Sequence, residues 1–414
     1  DYDRDGKIDA ADYRRAAMNE AFTIWLNDDD DAEGTDDGAK AGDTNDALHD
    51  VPGGEGNDKD CADDKVNGRC DLLDFFPVLV EVPEGESWNG FVWKLRGQSV
   101  NVVFVGLDAD HAGDFHTKAM SAFGTEAPLY EAPVTKLADG VELPKNFLKS
   151  GKGVFLIEGA ALAEGNGLTL RGEKEGGEPI EVTLNLRVKN VEDLYGWMNL
   201  RPEERESKSE VEVVQRNVEN SIVRLPTTTD TRHFVLVHGY NTNHEEARGN
   251  AAEFYKKLYQ SGSDAMFTAV EWKGDQSQFK IELLGITFSP NYFVNVENAF
   301  AAARPFAEAC NKLPGEKIVV GHSLGNMLIS SAIKDYGLDY TKYVMLNAAV
   351  AREAYDASAY DDDMVSVLWT DEDEEGETSL TNHLDRASRW YRNFAGKEYD
   401  PYEYRRKLAW RGRF

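Results

Sequence analysis

Gly321-His322-Ser323-Leu324-Gly325 sets one hydroxyl between two glycines. A serine is a weak nucleophile until a base takes its proton and fixed donors receive the charge its attack creates. Small residues two before and two after it let the backbone bend sharply, which holds the hydroxyl at the top of a sheet. A helix starting there turns its first N–H groups toward an oxyanion. A second chemistry stands at the other end of the chain. Asp1-Tyr2-Asp3-Arg4-Asp5-Gly6-Lys7-Ile8-Asp9-Ala10-Ala11-Asp12 repeats carboxylates at alternate positions around a glycine, a spacing that suits a hard, oxygen-seeking cation.

In that loop Asp1, Asp3, Asp5 and Asp12, with the carbonyl of Lys7, are the expected ligands of a structural Ca2+ ion, and Asp9 acts through water. Ile8 faces inward to pair with a sister loop. The loop resembles an EF-hand, with Asp12 in place of the closing glutamate, as in dockerin-type loops. Met18, Phe22 and Trp25 then fall at helical spacing, which predicts an exiting helix. Residues 63–74 offer a second set in register: Asp63, Asn67, the carbonyl of Arg69, Asp71 and Asp74, with Lys65 at a ligand position. Asp28 to Asp31 read as a solvated loop. Cys61 and Cys70 bracket the second loop, and a disulfide there would pin a segment too short for its own core. Cys310, in an alanine-rich helical stretch, reads as a small buried residue. Calcium with a disulfide points to an extracellular or cell-surface location.

Charge supports the cation reading. The 414 residues carry 45 Lys+Arg against 75 Asp+Glu, a net −30, and residues 1–80 alone hold 23 acids and 8 bases. Carboxylates at that density repel unless cations sit among them. The same balance excludes a nucleic-acid binder, which needs basic patches for phosphates, and an anionic membrane surface would repel it. No apolar run approaches about 18 residues, so no membrane span is expected. The chain opens without an initiator Met, as expected of a trimmed piece of something longer.

Residues 75–190 alternate short apolar runs with Gly, Pro and Asn turns: 76–82, 91–95, 100–107, 153–158, 168–171 and 181–188. That spacing predicts an all-β sandwich. His111 and His116, near Asp108, Asp110 and Asp114, read as a polar loop rather than a metal site. Residues 191–231, mixed and charged, read as a linker. From residue 232 the pattern becomes a buried strand running into a loop over 232–241, helix 245–260, strand 267–272, strand 317–320, helix 324–336 closed by Gly337, then strands 343–347 and 364–369. Strands separated by helices predict a doubly wound, mostly parallel sheet.

With a strand before Gly321 and a helix after Gly325, the last segment resembles the α/β-hydrolase superfamily in its esterase and lipase branches. The resemblance spans roughly residues 232–400, under half of the chain. It implies Ser323 as nucleophile and the main-chain N–H groups of Tyr240 and Leu324 as oxyanion hole. The superfamily order of serine, acid, histidine implies His383, the only histidine after Ser323, as base, and Asp373 as acid, with Asp356 as the fallback. Only nine residues separate Asp373 from His383, and none reads as the strand expected between them. Two readings stand: His383 swings in from a loop, or the base lies beyond Phe414. His322 and His238 read as supports for the turn and the oxyanion loop. The expected whole is a calcium-binding helical region at 1–74, a β-sandwich-like domain at 75–190, the linker at 191–231 and an α/β-hydrolase-like domain at 232–414. Its substrate is a small ester or acyl compound, and the amino-terminal region offers a surface for a protein partner or self-assembly. The rival expectation is a non-catalytic structural or adhesive protein that uses the hydrolase-like domain as a scaffold.

Overall fold

A computed structural model describes residues 1–26, 72–81, 90–116, most of 120–148, 151–165, 167–201, 212–214, 231–275, 281–283, 286–288 and 292–350. The chain divides into two compact units. The first contains Asp1–Leu194 and Arg248–Asp264; the second contains Tyr195–Val218, Pro226–Ala247 and the chain from Ala265.

In the first unit, α1 (Ala10–Ala17) and β1 (Phe22–Trp25) precede ten further strands: β2 (Phe75–Glu81), β3 (Phe91–Arg96), β4 (Val100–Leu107), β5 (Thr135–Lys136), β6 (Val141–Glu142), β7 (Lys152–Gly159), β8 (Ala163–Glu164), β9 (Leu168–Lys174), β10 (Ile180–Leu184) and β11 (Leu186–Lys189). They form three sheets, ordered β2-β7-β4-β5, β10-β9-β3-β6 and β1-β11-β8. The first two are antiparallel throughout. The run at 181–188 is broken at Asn185, so that β10 and β11 serve different sheets. Phe75, Val103, Val105, Phe115, Leu129 and Leu156 pack into one buried cluster of this unit.

In the second unit, β12 (Gly196–Asn199), β13 (Glu212–Val214), β14 (Arg232–Val237), β15 (Met266–Glu271), β18 (Glu316–His322) and β19 (Lys342–Leu346) make a six-stranded sheet ordered β13-β12-β15-β14-β18-β19, with β16 (Ile281–Leu283) and β17 (Ile286–Phe288) as a separate hairpin. β13 is antiparallel and the other five are in parallel register. α2 (His244–Gln260), α3 (Tyr292–Cys310) and α4 (Gly325–Tyr336) complete the helices. α3 and α4 pack on each other, and with Met198, Val235, Val270 and Val319 of the sheet they enclose a core that includes Phe306, Cys310 and Leu328.

The expected architecture is corrected in its helical amino-terminal part, its linker and its hydrolase-like part. Among the described residues strand outweighs helix, with four α-helices. The amino-terminal segment is not a separate helical module. Phe22–Trp25 is a strand that pairs in parallel with β11, Phe22 opposite Leu186 and Trp25 opposite Lys189. Thr23 and Ile24 are β-branched and Phe22 and Trp25 aromatic, so strand propensity outweighs the helical spacing of three apolar residues. Ile24 and Trp25 are fully buried there. The doubly wound hydrolase-like sheet is not evident either: an antiparallel strand closes one edge, α3 and α4 pack against each other, and the residues of α2 from Arg248 onward belong to the first unit. Tyr255 and Tyr259 of α2 meet the Trp25 ring edge-on, and Gln260 donates to the carbonyls of Leu73 and Phe75. The stretch read as a linker supplies β12 and β13, with Trp197 and Met198 buried.

Candidate active site and cation loop

Ser323 stands between the end of β18 and the start of α4. Its φ is +47°, a left-handed backbone that a non-glycine residue adopts at a cost of about 1–3 kcal/mol, so its surroundings must hold it there. They do so with hydrogen bonds. The Ser323 N–H donates to the Leu346 carbonyl at 2.9 Å, and its own carbonyl accepts from Ala349 N–H at 3.1 Å. The fully buried Asn326 amide donates to the carbonyls of Gly321 and Ser323, 2.9 Å each, while its oxygen accepts from the Tyr343 hydroxyl at 2.9 Å. Gly325 is required for a steric reason: a Cβ there would run into the carbonyl oxygens of His238 and Val237 at the end of β14. Leu324, the N-cap residue of α4, is buried and its side chain makes no capping bond.

The loop after β14 is brought against this turn. A Cβ on Gly239 would lie 3.0 Å from Ser323 Cβ and 2.9 Å from His322 Nδ1, so the glycine lets the loop come close to the turn. The loop before Tyr240 therefore lies against the turn at Ser323. His238 fastens the loop. Its Nε2 accepts from Trp272 N–H at 3.1 Å, which leaves Nδ1 as the protonated nitrogen that donates to the Gly239 carbonyl at 2.9 Å; Trp272 Nε1 returns a bond to the His238 carbonyl. Burial pushes His238 down to about 4, so at neutral pH it is an uncharged support. His322 is exposed at the end of β18.

A buried charge cluster lies beneath the same loop, and the sequence reading did not find it. Glu271, fully buried at the end of β15, meets Arg201 Nε at 2.5 Å and His244 Nδ1 at 2.8 Å. Arg201 also reaches Asp275 at 3.0 Å and donates to the Thr242 carbonyl at 3.1 Å, and Asn241 N–H donates to the Gly274 carbonyl. Together they fix residues 241–244 to 271–275. An acid closing an otherwise apolar strand, Met266–Glu271, was the available signal. Arg201 gave none, because its segment read as a linker.

At the amino terminus, carboxylate oxygens of Asp1, Asp3 and Asp5 gather within 4.8 Å of one another. Asp1 Oδ1 is buried with no hydrogen-bond partner among the described residues, while Oδ2 accepts from Gly6 N–H at 3.0 Å. Desolvation, then repulsion from Asp12 and Asp5, raises the Asp3 carboxyl. An orphaned oxygen among crowded carboxylates fits a hard cation. Asp9 is the N-cap of α1: its carboxylate accepts from Ala11 N–H, and Asp12 returns a bond to Asp9 N–H at 2.8 Å, completing a capping box. The other Asp12 oxygen accepts from Tyr2 N–H. Ile8 N–H donates to the Ala109 carbonyl and Gly113 N–H to the Gly6 carbonyl, so this loop pairs with residues 109–113. Arg4, at φ +58°, is buried against Asp264 at 2.6 Å and lies over the Tyr259 ring. Asp108 and His111 form an exposed turn, Asp108 capping it and contacting His111 at 2.9 Å.

Of the expected ligands in the second loop, only Asp74 is described. It is fully buried, paired with Lys256 at 2.8 Å and accepting from Trp25 Nε1 at 2.5 Å. Asp74 is thus an internal ion-pair partner of Lys256. Cys310 is a free, buried thiol, and burial pushes it up to about 12. Asp63, Asn67, Arg69, Asp71, Cys61, Cys70, Asp356, Asp373 and His383 lie outside the described residues. No described helix is long and apolar enough to cross a membrane. Set against protein-family models, curated proteins and solved structures, the chain matches none.

Proposed function

We infer that this chain is a serine hydrolase acting on ester or acyl substrates, with a structural Ca2+ ion in its first loop. The observation that carries the reading is the left-handed backbone of Ser323 at a strand-to-helix turn, faced by the glycine-bearing loop before Tyr240. Strain of this kind at a reactive side chain is the mark of a functional constraint. Ser323 Oγ attacks the substrate carbonyl carbon, and a histidine, with His383 as the candidate, takes the hydroxyl proton. The main-chain N–H groups of Tyr240 and Leu324 receive the oxyanion, and Asp373 holds the imidazole in its working tautomer. The leaving group departs with that proton, and water then cleaves the acyl-serine by the reverse proton path.

Asp1, Asp3, Asp5 and Asp12, with the Lys7 carbonyl, hold the Ca2+ ion, and the crowding of three carboxylates around an unpaired oxygen supports it. The ion orders the loop and takes no part in the chemistry. With a calcium-dependent loop, the protein belongs outside the cell or at its surface, where calcium is abundant. A fluorophosphonate probe tests the enzyme reading. Labelling of the full chain that Ser323→Ala abolishes supports it. Absence of labelling in a folded, calcium-loaded preparation overturns it in favour of a scaffold role.

A further inference from the structure

The first unit contains an apolar cleft that the hydrolase reading does not use. It has a volume of about 620 Å³ and lies between the sheet of β2 and β7 and the sheet of β3, β9 and β10, with α1 at one end. Two sheets packed face to face normally fill the space between them with their own side chains. Here they leave room of the size that small-molecule sites occupy, roughly 300–1,000 Å³. Leu79, Phe155, Leu170 and the stacked rings of Phe91 and Trp93 line it. The wall formed by β10 is wet: Ile180 is 42% exposed and Val182 62%. Apolar side chains that line a concave space and still meet water gain free energy from any hydrocarbon that displaces that water.

The lining also selects the ligand's charge. Among the described lining residues the ionisable side chains are Tyr13 and Glu81, and both are engaged: the Tyr13 hydroxyl donates to Glu81, and Glu81 pairs with Lys152 at 2.5 Å. The lining therefore contributes a carboxylate and no cation of its own, in a chain of net charge −30. Glu81 is already matched by Lys152, so a charged head group drawn into the cleft loses its hydration without gaining a counter-ion from the lining, and an uncharged one avoids that cost. We propose that the cleft between these two sheets binds an uncharged hydrocarbon ligand, an alkyl chain ending in a hydroxyl or a neutral ester, with Tyr13 and Glu81 at its polar end. The site is separate from Ser323 and stands whether or not Ser323 is a nucleophile.

The test titrates the full chain with the neutral dye N-phenyl-1-naphthylamine below the concentration at which the competitors form micelles. Saturable, one-to-one enhancement of dye emission is expected, with displacement by 1-decanol at least tenfold more effective than by decanoate. Val182→Glu, at an exposed position that the fold does not need, should weaken dye binding at least tenfold while leaving the thermal transition in place. Ser323→Ala should bind the dye as wild type does. No saturable enhancement overturns the proposal, as does equal displacement by decanol and decanoate. Sedimentation supplies the remaining arm: a dimer in the absence of dye that Val182→Glu dissociates would show a second copy covering the cleft, and the proposal would fall.

Discussion

The side-chain amide of Asn326 bonds both the carbonyl before the turn, of Gly321, and the carbonyl of the turn residue, Ser323, at 2.9 Å each. One buried group thus clamps the backbone on either side of His322 and stabilises a conformation that Ser323 would not adopt alone. Replacing it by alanine removes the side-chain donor from both carbonyls and one acceptor from the Tyr343 hydroxyl. Asn326→Ala should cost roughly 2–4 kcal/mol of unfolding free energy, and fluorophosphonate labelling of Ser323 should slow by more than tenfold because the hydroxyl is no longer held in place. Asn326→Asp should be worse, since it sets an acceptor against two acceptors. Chemical denaturation and labelling rates measure the two effects; unchanged labelling in Asn326→Ala would refute the clamp.

Position 323 should separate function from stability. Glycine takes a φ of +47° without strain, so Ser323→Gly should be more stable than Ser323→Ala by about 1 kcal/mol. Both should be silent to the probe. A melting temperature for Ser323→Gly below that of Ser323→Ala would mean that the left-handed turn does not form in solution.

Acid should loosen the loop that holds Tyr240. His238 is depressed to about 4 by burial, so the unfolded chain binds a proton between about pH 6.5 and 4 that the folded chain refuses. Its contribution is fully present above pH 6.5 and is lost as pH falls toward 4, about 3 kcal/mol over the whole window. Carboxylates titrate in the same range, so the measurement is the difference between wild type and His238→Asn. The variant should show the shallower loss of stability between pH 6.5 and 4.5; parallel curves would rule out the buried neutral imidazole.

Calcium should stabilise the first unit through a site that one carboxylate can disable. Added Ca2+ should raise the melting temperature by several degrees, following the ratio of free ion to dissociation constant, and EDTA should reverse it. Asp5 is exposed, so Asp5→Ala should melt like the EDTA-treated wild type and should not respond to calcium. A calcium response that survives in Asp5→Ala would place the ion elsewhere.

The Asp74–Lys256 pair should behave differently. Both side chains are fully buried, and removing one leaves an uncompensated charge. Asp74→Ala should cost about 3–5 kcal/mol, and Asp74→Ala combined with Lys256→Met should recover most of it. The loss should be equal with calcium or EDTA present. A loss confined to calcium would restore Asp74 as a ligand.

What the sequence disclosed was local. Glycine spacing around Ser323, the apolar run of β18 and Gly337 after α4 are written within about twenty residues, and each can be read from steric and capping rules alone. The alternating aspartates at 1, 3 and 5 are equally local. What stayed hidden was long-range pairing. Phe22 and Trp25 look helical until Leu186 and Lys189 offer a strand edge to them. Asp74 reads as the last ligand of a loop, and nothing near it in sequence announces its ion pair with Lys256, far along the chain. Arg201 looks like linker until β12 joins β15 and brings it to Glu271. In each case a partner distant in sequence decided the role, and periodicity has no access to such partners.

The parallel pairing of β1 with β11 sets an order of events. The segment around Ile24 is made first, yet the edge it needs is not complete until synthesis has passed Lys189, and Tyr259, whose hydroxyl donates to the Thr23 carbonyl, comes later still. Contacts that close over so many residues slow folding. Ile24 and Trp25 are therefore made long before their partners, and this strand finds its seat only after Lys189 has followed it.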